Sequence, residues 1–363
     1  MAIEDFNPAS IASAMQIQTR KQQNFDKVEA ELPDPKAPGM QISSQLNFGD
    51  VVNKIGDLNP FGWPVAPGDT VWMFDNTAFK TGHMSSWQAE YVAAVFEKDA
   101  KCKVVDVVQG VARAVGLADD AEEIKTIEER IMPFLWDIRV ARTLKTVCQD
   151  KEFKLGPTSL NGMSTDVLKI PHGAKGTFVK SEARVAKGVN GILEMQTYYA
   201  GHKGWVIISG MYESSRRRSG WYINANNLID VDDTIKITST SDPIGILRET
   251  FVNPTRPVAG MPQLYAGIKA NLPEDTPWFY LSASPYNLYP MLRKFRDEHF
   301  PPGTLLLRDQ SWKTVSGLLS TLTTNTEEYK VNRMKKINGW LPDKKLILIG
   351  DSTQSDPEAY GEM

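Results

Sequence analysis

The apolar positions change their period along the chain, and each change predicts a different kind of element. Trp87, Tyr91 and Val95, with Val92 and Phe96 beside them, recur at four-residue spacing behind Ser86, a residue suited to capping, so the pattern predicts a helix. Val104, Val108, Val111 and Val115 predict a second helix, stopped by Gly116. Ile124, Ile127, Ile131 and Leu135 predict a third, broken around Pro133. Ahead of them, "DTVWMFDNTAF" (69–79) is dense enough in apolar and aromatic residues to anchor a strand or a buried loop.

From 151 to about 210 the pattern shortens to runs such as "DVLKI", "GTFVK", "GILEMQTYY" and "GWVIIS", separated by Gly, Asn and Pro. That spacing predicts a small antiparallel β domain of sandwich type. After 220, strand and helix patterns alternate. "NLIDVDDT" reads as a strand and its C-terminal loop. "PWFYLSASP" (277–285), "GTLLLRD" (303–309) and "KLILIGDS" (345–352) read as strands, and residues 286–300 and 327–341 as helices. Continuous apolar strands alternating with helices predict an α/β fold whose parallel sheet is covered on both faces, where sites gather at the C-terminal strand ends. The resulting division is a polar, flexible arm at 1–45 containing "ELPDPKAPG", a mainly helical region at 46–150, a small β domain at 151–220 ending in the linker "SSRRRSG", and an α/β catalytic domain at 221–363.

Composition narrows the function classes. With 363 residues, 41% hydrophobic and 23% charged, the chain can bury a sizeable core. Lys plus Arg number 41 against 44 Asp plus Glu, a net charge of −3, which points away from nucleic acid as a partner. Residues 151–220 instead carry a local excess of positive charge, 11 Lys or Arg against 5 Asp or Glu, which would suit an anionic surface. No segment holds ~18 uninterrupted apolar residues and the N-terminus lacks a signal pattern, so the chain is expected to be cytoplasmic with no transmembrane segment. Cys102 and Cys148 and the scattered His83, His172, His202 and His299 have no zinc-ligand spacing.

The candidate chemistry lies in the last third. "LIDVDDTIKIT" (228–238) puts three carboxylates into four positions, Asp230, Asp232 and Asp233, where repulsion and desolvation oppose them unless they face water, a cation or a reacting group. A calcium loop fails on spacing, because its sixth position would need Gly and holds Ile235, and its twelfth would need Glu and holds Ser241. Asp230-x-Asp232-x-Thr234, Ser282, Lys330 and Gly350-Asp351 with Asp356 close strands or lie between them, so a parallel sheet can bring them to one rim. Two or three aspartates there suit Mg2+ opposite a nucleophile.

The order DxDxT, strand-terminal Ser, Lys and GDxxxxD resembles the haloacid dehalogenase phosphatase superfamily. "DVDDTIKIT", "YLSASPYNLYPMLRKF" and "KLILIGDSTQSDPEAYGE" are similar to the Mg2+-dependent phosphatidate phosphatases of the fungal actin-patch family, and "VWMFDNTAF", "SSWQAEYVAAVF" and "KLGPTSLNG" resemble the amino-terminal region of the same proteins. The resemblance implies a Rossmann-like sheet, expected here to lack its last strand because the chain stops at Met363 just after the final motif.

Carried over by position, it implies Asp230 as nucleophile, Asp232 as general acid and base, and Thr234 as a brace. Ser282 and Lys330 would hold phosphoryl oxygens, with Lys335 and Lys336 as rivals for the lysine role. Asp230, Asp232 through its carbonyl, and Asp351 would bind Mg2+, with Asp356 in support. It further implies phosphatidate or another phosphomonoester at a membrane surface as substrate, a peripheral or cortical actin-patch location, and actin-cortex proteins as possible partners. The alternatives are a phosphatase of proteins or soluble phosphomonoesters on the same chemistry, and an inactive cortical adaptor.

Overall fold

The structure, a computed structural model, describes residues 62–80, 86–98, 104–117, 121–201, 203–210, 234–237, 243–309 and 326–350. The amino-terminal half is built on a mixed sheet. Its strands are β1 (Trp63–Pro64), β2 (Asp69–Met73), β3 (Asn76–Phe79), β4 (Trp87–Glu97), β5 (Asp137–Ile138), β6 (Arg142–Cys148), β7 (Lys151–Leu155), β8 (Met163–Ile170), β9 (Phe178–Arg184), β10 (Asn190–Ile192) and β11 (Glu194–Tyr199). β4 is its spine, antiparallel to β2 and β3 along one edge and to β8 along the other. The sheet curls around Val71, Tyr91, Leu144, Cys148 and Met195. Instead of two packed antiparallel sheets there is one hydrogen-bonded sheet, which includes parallel pairs such as β3 with β11.

The helix expected from Ser86 onward is β4. Four-residue spacing fits a helix, but four is also a multiple of the strand period of two. Trp87, Ala89, Tyr91, Ala93 and Val95 face the interior of the curled sheet, while Ala94 and Phe96 face a second core. Aromatic and branched residues at nearly every position favour the strand once both faces are covered. The other two helical readings hold, as α1 (Val104–Ala114) and α2 (Ala121–Leu135), and α2 continues through Pro133 to its end. The region expected to be mainly helical therefore holds strands β1–β6 as well as these two helices.

A second, fully parallel sheet has the order β14-β13-β12-β15, formed by β12 (Gly204–Gly210), β13 (Trp278–Pro285), β14 (Thr304–Arg308) and β15 (Lys344–Ile349). Its remaining helices are α3 (Pro243–Leu247), α4 (Met261–Ala270), α5 (Tyr289–His299) and α6 (Thr326–Trp340). Alternation along the strands separates two cores. Ile207 and Tyr280 pack with Tyr265 of α4, with Leu292 and Phe295 of α5 and with α1 and α2. Val206, Ile208, Phe279 and Leu281 pack under Val331, Met334 and Ile337 of α6.

"GWVIIS", expected to belong to the amino-terminal β domain, is thus a central strand of the parallel sheet. Its apolar residues run without alternation because both of its faces are buried.

Candidate active site

The four parallel strands present their C-terminal ends at one edge. β13 reaches that edge through Ser282, fully buried, whose Oγ accepts the Ser284 N–H at 3.0 Å. The register between β13 and β14 shifts between Leu281 and Pro285, a local irregularity of the kind that re-aims side chains at a site. Ser284 is also fully buried, and its Oγ has no hydrogen-bond partner among the described residues. The sequence reading chose Ser282 and passed over Ser284, two positions on; the doublet "SAS" was the available signal.

Gly303 lets the two strands approach, since a Cβ there would lie 2.4 Å from the Trp278 carbonyl oxygen.

Lys330 projects from α6, the helix that covers the Val206 and Leu281 face, and is 1% exposed. Of its two rivals, Lys335 is exposed, and Lys336 pairs with Glu90 and lies 5.3 Å from the Trp340 ring centre. Thr234 is 1% exposed and its Oγ1 lacks a partner among the described residues. It begins a short stretch that folds back on 256–258, with the Val258 N–H donating to Ile235 O at 3.0 Å and the Ile237 N–H to Arg256 O at 3.1 Å. Asp230, Asp232, Asp351 and Asp356 lie outside the described residues. The described part of the expected constellation is therefore Ser282, Lys330 and Thr234, all buried, with Gly350 immediately after β15.

Lys236 is a buried cation that sequence reading did not single out. It is 1% exposed, and its Nζ donates to Ile237 O at 3.0 Å and to Glu249 O at 3.4 Å. Glu249 in turn accepts from Asn253 at 2.8 Å and pairs with Arg256 at 3.0 Å. Burying a charge is costly without such partners, so this network holds the segment after Thr234 in one arrangement. A lysine inside the apolar alternation "TIKIT" was its only trace in the sequence.

The two sheets are clamped together beside the site. Asp75, between β2 and β3, is buried and accepts the Gln196 N–H at 2.8 Å. It pairs with Arg296 at 2.8 Å and Arg293 at 3.0 Å of α5, and its own N–H donates to Tyr289 Oη at 2.8 Å. Burial alone would depress the Arg296 guanidinium, but Asp75 and Asp297 outweigh it and hold the group above its ordinary range. Burial likewise raises the Tyr289 phenol. Because α5 follows directly from the Ser282 strand, this clamp fixes the direction in which that strand leaves the rim.

A cleft between the sheets is lined by Asp75, Glu90, Asp309, Arg333 and Lys336. Its charges satisfy one another, Lys336 with Glu90 and Arg333 with Asp309 at 2.8 Å, which leaves no surplus cation for a phosphate among the described residues that line it. The strand tips, with buried hydroxyls and Lys330, are better matched to an anion.

Residues 227–363 match the family model described as Phosphatidate phosphatase APP1, catalytic domain. Over 134 residues the chain is 33% identical to Phosphatidate phosphatase APP1 of Saccharomyces cerevisiae, across 36% of this chain and 22% of that protein. The chain thus spans under a quarter of the length of the curated relative it matches. The likeness to phosphatidate phosphatases drawn from the sequence is borne out over this carboxy-terminal stretch. The family match begins at Asn227, beyond the end of β12.

Proposed function

We propose that this chain is a Mg2+-dependent phosphatidate phosphatase of the haloacid dehalogenase type that releases diacylglycerol and phosphate. The observation that carries the reading is the single rim of parallel strand ends at Ser282 and Gly350, under a helix bearing the buried Lys330, within the stretch that matches the catalytic-domain family.

In this reading an Asp230 carboxylate oxygen attacks phosphorus and the ester P–O bond breaks. Asp232 gives its proton to the leaving glyceride oxygen, so diacylglycerol departs neutral and Asp230 carries the phosphoryl group. Asp232 then takes a proton from water, which attacks the aspartyl phosphate, frees inorganic phosphate and restores Asp230 as the carboxylate and Asp232 as the acid. Ser282 donates a hydrogen bond and Lys330 a positive charge to the phosphoryl oxygens, whose charge must be held through each transfer. Thr234, with its buried hydroxyl, braces the loop.

The donor set is hard carboxylate oxygen, which fits Mg2+; Asp230, Asp351 and the Asp232 carbonyl would hold it with Asp356 in support. The ion would supply neutralisation of phosphoryl charge. A bulky substrate at a surface suits the cover, because among the described residues α3, the helical turn Arg248–Val252 and α4 stand between Thr234 and β13. No helix among the described residues is long and apolar enough to cross a membrane, so contact with lipid would be peripheral. The positive excess of 151–220 supports an anionic bilayer as the surface. Location at the actin cortex is proposed on the family resemblance alone.

The test is phosphate release from phosphatidate in mixed micelles, beside p-nitrophenyl phosphate and a phosphopeptide, with and without Mg2+, against an Asp230→Asn background. Mg2+-dependent release strongest with phosphatidate is expected. Preference for the phosphopeptide, or release untouched by Asp230→Asn, would overturn the reading.

A further inference from the structure

β12 occupies the inner position of the parallel sheet, hydrogen-bonded to β13 on one edge and to β15 on the other. Ser209 is level with Tyr280 and with Ile349, so the residue after it comes level with Leu281 and Gly350, one step before Ser282 and Asp351. From that step a carboxylate would reach a phosphoryl group held by those neighbours. The step is occupied by Gly210, buried and without a side chain. Asp230, the carboxylate that the proposed mechanism requires there, comes only after Met211–Ile229 in sequence. Because both edges of β12 are already bonded, no other strand can enter between β13 and β15 to deliver it.

The sequence on either side agrees. "GWVIIS" is an apolar strand with a polar end, of the same form as "WFYLS" and "KLILIGD", whereas the apolar run directly before Asp230 is only Leu228-Ile229. Between them, "MYESSRRRSGWYINAN" has neither strand nor helix periodicity. Ser209 directly followed by Asp230 would read "GWVIISDVDDTIKIT", a strand running straight into the acidic loop. The chain before and after the segment also serves one core, since Ile207 and Ile235 share a cluster with Tyr265 and Tyr280.

We infer that Gly210–Ile229 is an insert in an otherwise contiguous catalytic strand, and that the active arrangement joins Ser209 to Asp230. The inference rests on the phosphatase reading and deepens it. It names β12 as the strand that aims the nucleophile and Ser209, fixed to Tyr265 Oη at 2.7 Å, as its positioning residue. Asp230 would then lie on the sheet face of Ile208, the face covered by the helix of Lys330.

The residues at the two boundaries suit an unspliced intron. Were Gly210 encoded GGT and Ile229–Asp230 encoded ATA-GAC or ATA-GAT, a split after the first base of the glycine codon would supply a GT donor and the second pair an AG acceptor, and the bases left behind would rebuild one aspartate codon.

The experiment compares the full chain with the same chain lacking Gly210–Ile229. The shortened chain is expected to unfold cooperatively at the same or a higher temperature, since the ends of the segment no longer have to be brought together across 20 residues. It should hydrolyse p-nitrophenyl phosphate with Mg2+ about a hundredfold faster than the full chain, as correct placement of a reacting group allows. Asp230→Asn in the shortened chain should return it to background. Loss of cooperative unfolding on shortening, or a full chain faster than the shortened one, would overturn the inference. A shortened chain as stable as the full one, with neither hydrolysing any phosphomonoester, would uphold the insert and refute the phosphatase reading. Transcripts that join the Ser209 codon to an aspartate codon would support the inference without any protein being made.

Discussion

Asp75→Asn tests the clamp between the two sheets. The substitution keeps the size of the side chain and an oxygen for the Gln196 N–H, but removes the charge that faces Arg296 and Arg293. The arginine side chains are 2% and 20% exposed respectively, so Arg293 can recover hydration while Arg296 cannot. Arg296 retains Asp297 at 2.6 Å and the Gly303 carbonyl, which offsets part of the loss. Removing one partner of a buried pair costs about 3–5 kcal/mol, and the remaining contacts place this case near 3 kcal/mol. At roughly 1–2 °C per kcal/mol for a chain of 363 residues, the midpoint of thermal unfolding should fall by about 3–6 °C. Urea unfolding of Asp75→Ala, Arg296→Met and the double variant gives the coupling directly, and about 2 kcal/mol is expected. A coupling below about 0.5 kcal/mol, or an unshifted Asp75→Asn midpoint, would refute the assignment of this network as the joint between the sheets.

Three further outcomes follow from named groups. In the chain lacking Gly210–Ile229, Asp230→Asn should abolish turnover while leaving the unfolding midpoint unchanged, and Asp232→Asn should accumulate acid-stable phosphoenzyme more readily than Asp230→Asn, read by labelling with radioactive phosphate from substrate. Tyr265→Phe removes the hydroxyl bound to Ser209 in a fully buried site and should cost about 0.5–1.5 kcal/mol in urea unfolding. Burial holds the phenols of Tyr198, Tyr265, Tyr280 and Tyr289 above their ordinary 10.0, so the unfolded chain gives up these protons first as pH rises. The stability they contribute is full below pH 10.0 and falls above it, and absorbance at the phenolate band should rise together with unfolding; smooth titration of these groups in the folded protein would contradict this.

What the sequence determined by itself is largely local. Val104 to Val115 and Ile124 to Leu135 declare their helices because spacings of three and four together fit only the helical period. "PWFYLSASP" and "GTLLLRD" declare buried parallel strands because unbroken apolar runs of that length need cover on both faces, and "KLILIGDS" declares a parallel strand that is half-buried among the described residues. The place of Ser282 near the end of one such strand was legible as well, whereas its role and that of Lys330 are proposed on the family's motif order. Long-range pairing was not legible. The spacing of Trp87, Tyr91 and Val95 satisfies two periods, and only the partners β2, β3 and β8 decide for the strand. Nothing in Asp75 alone points to Arg296, because the two meet across the sheets. The apolar run before Asp230 invited a strand at 227–230, yet the hydrogen bonds of β13 and β15 are given to Gly204–Gly210. A strand's place in a sheet is set by neighbours far away in sequence, and that is a choice only the tertiary structure can make.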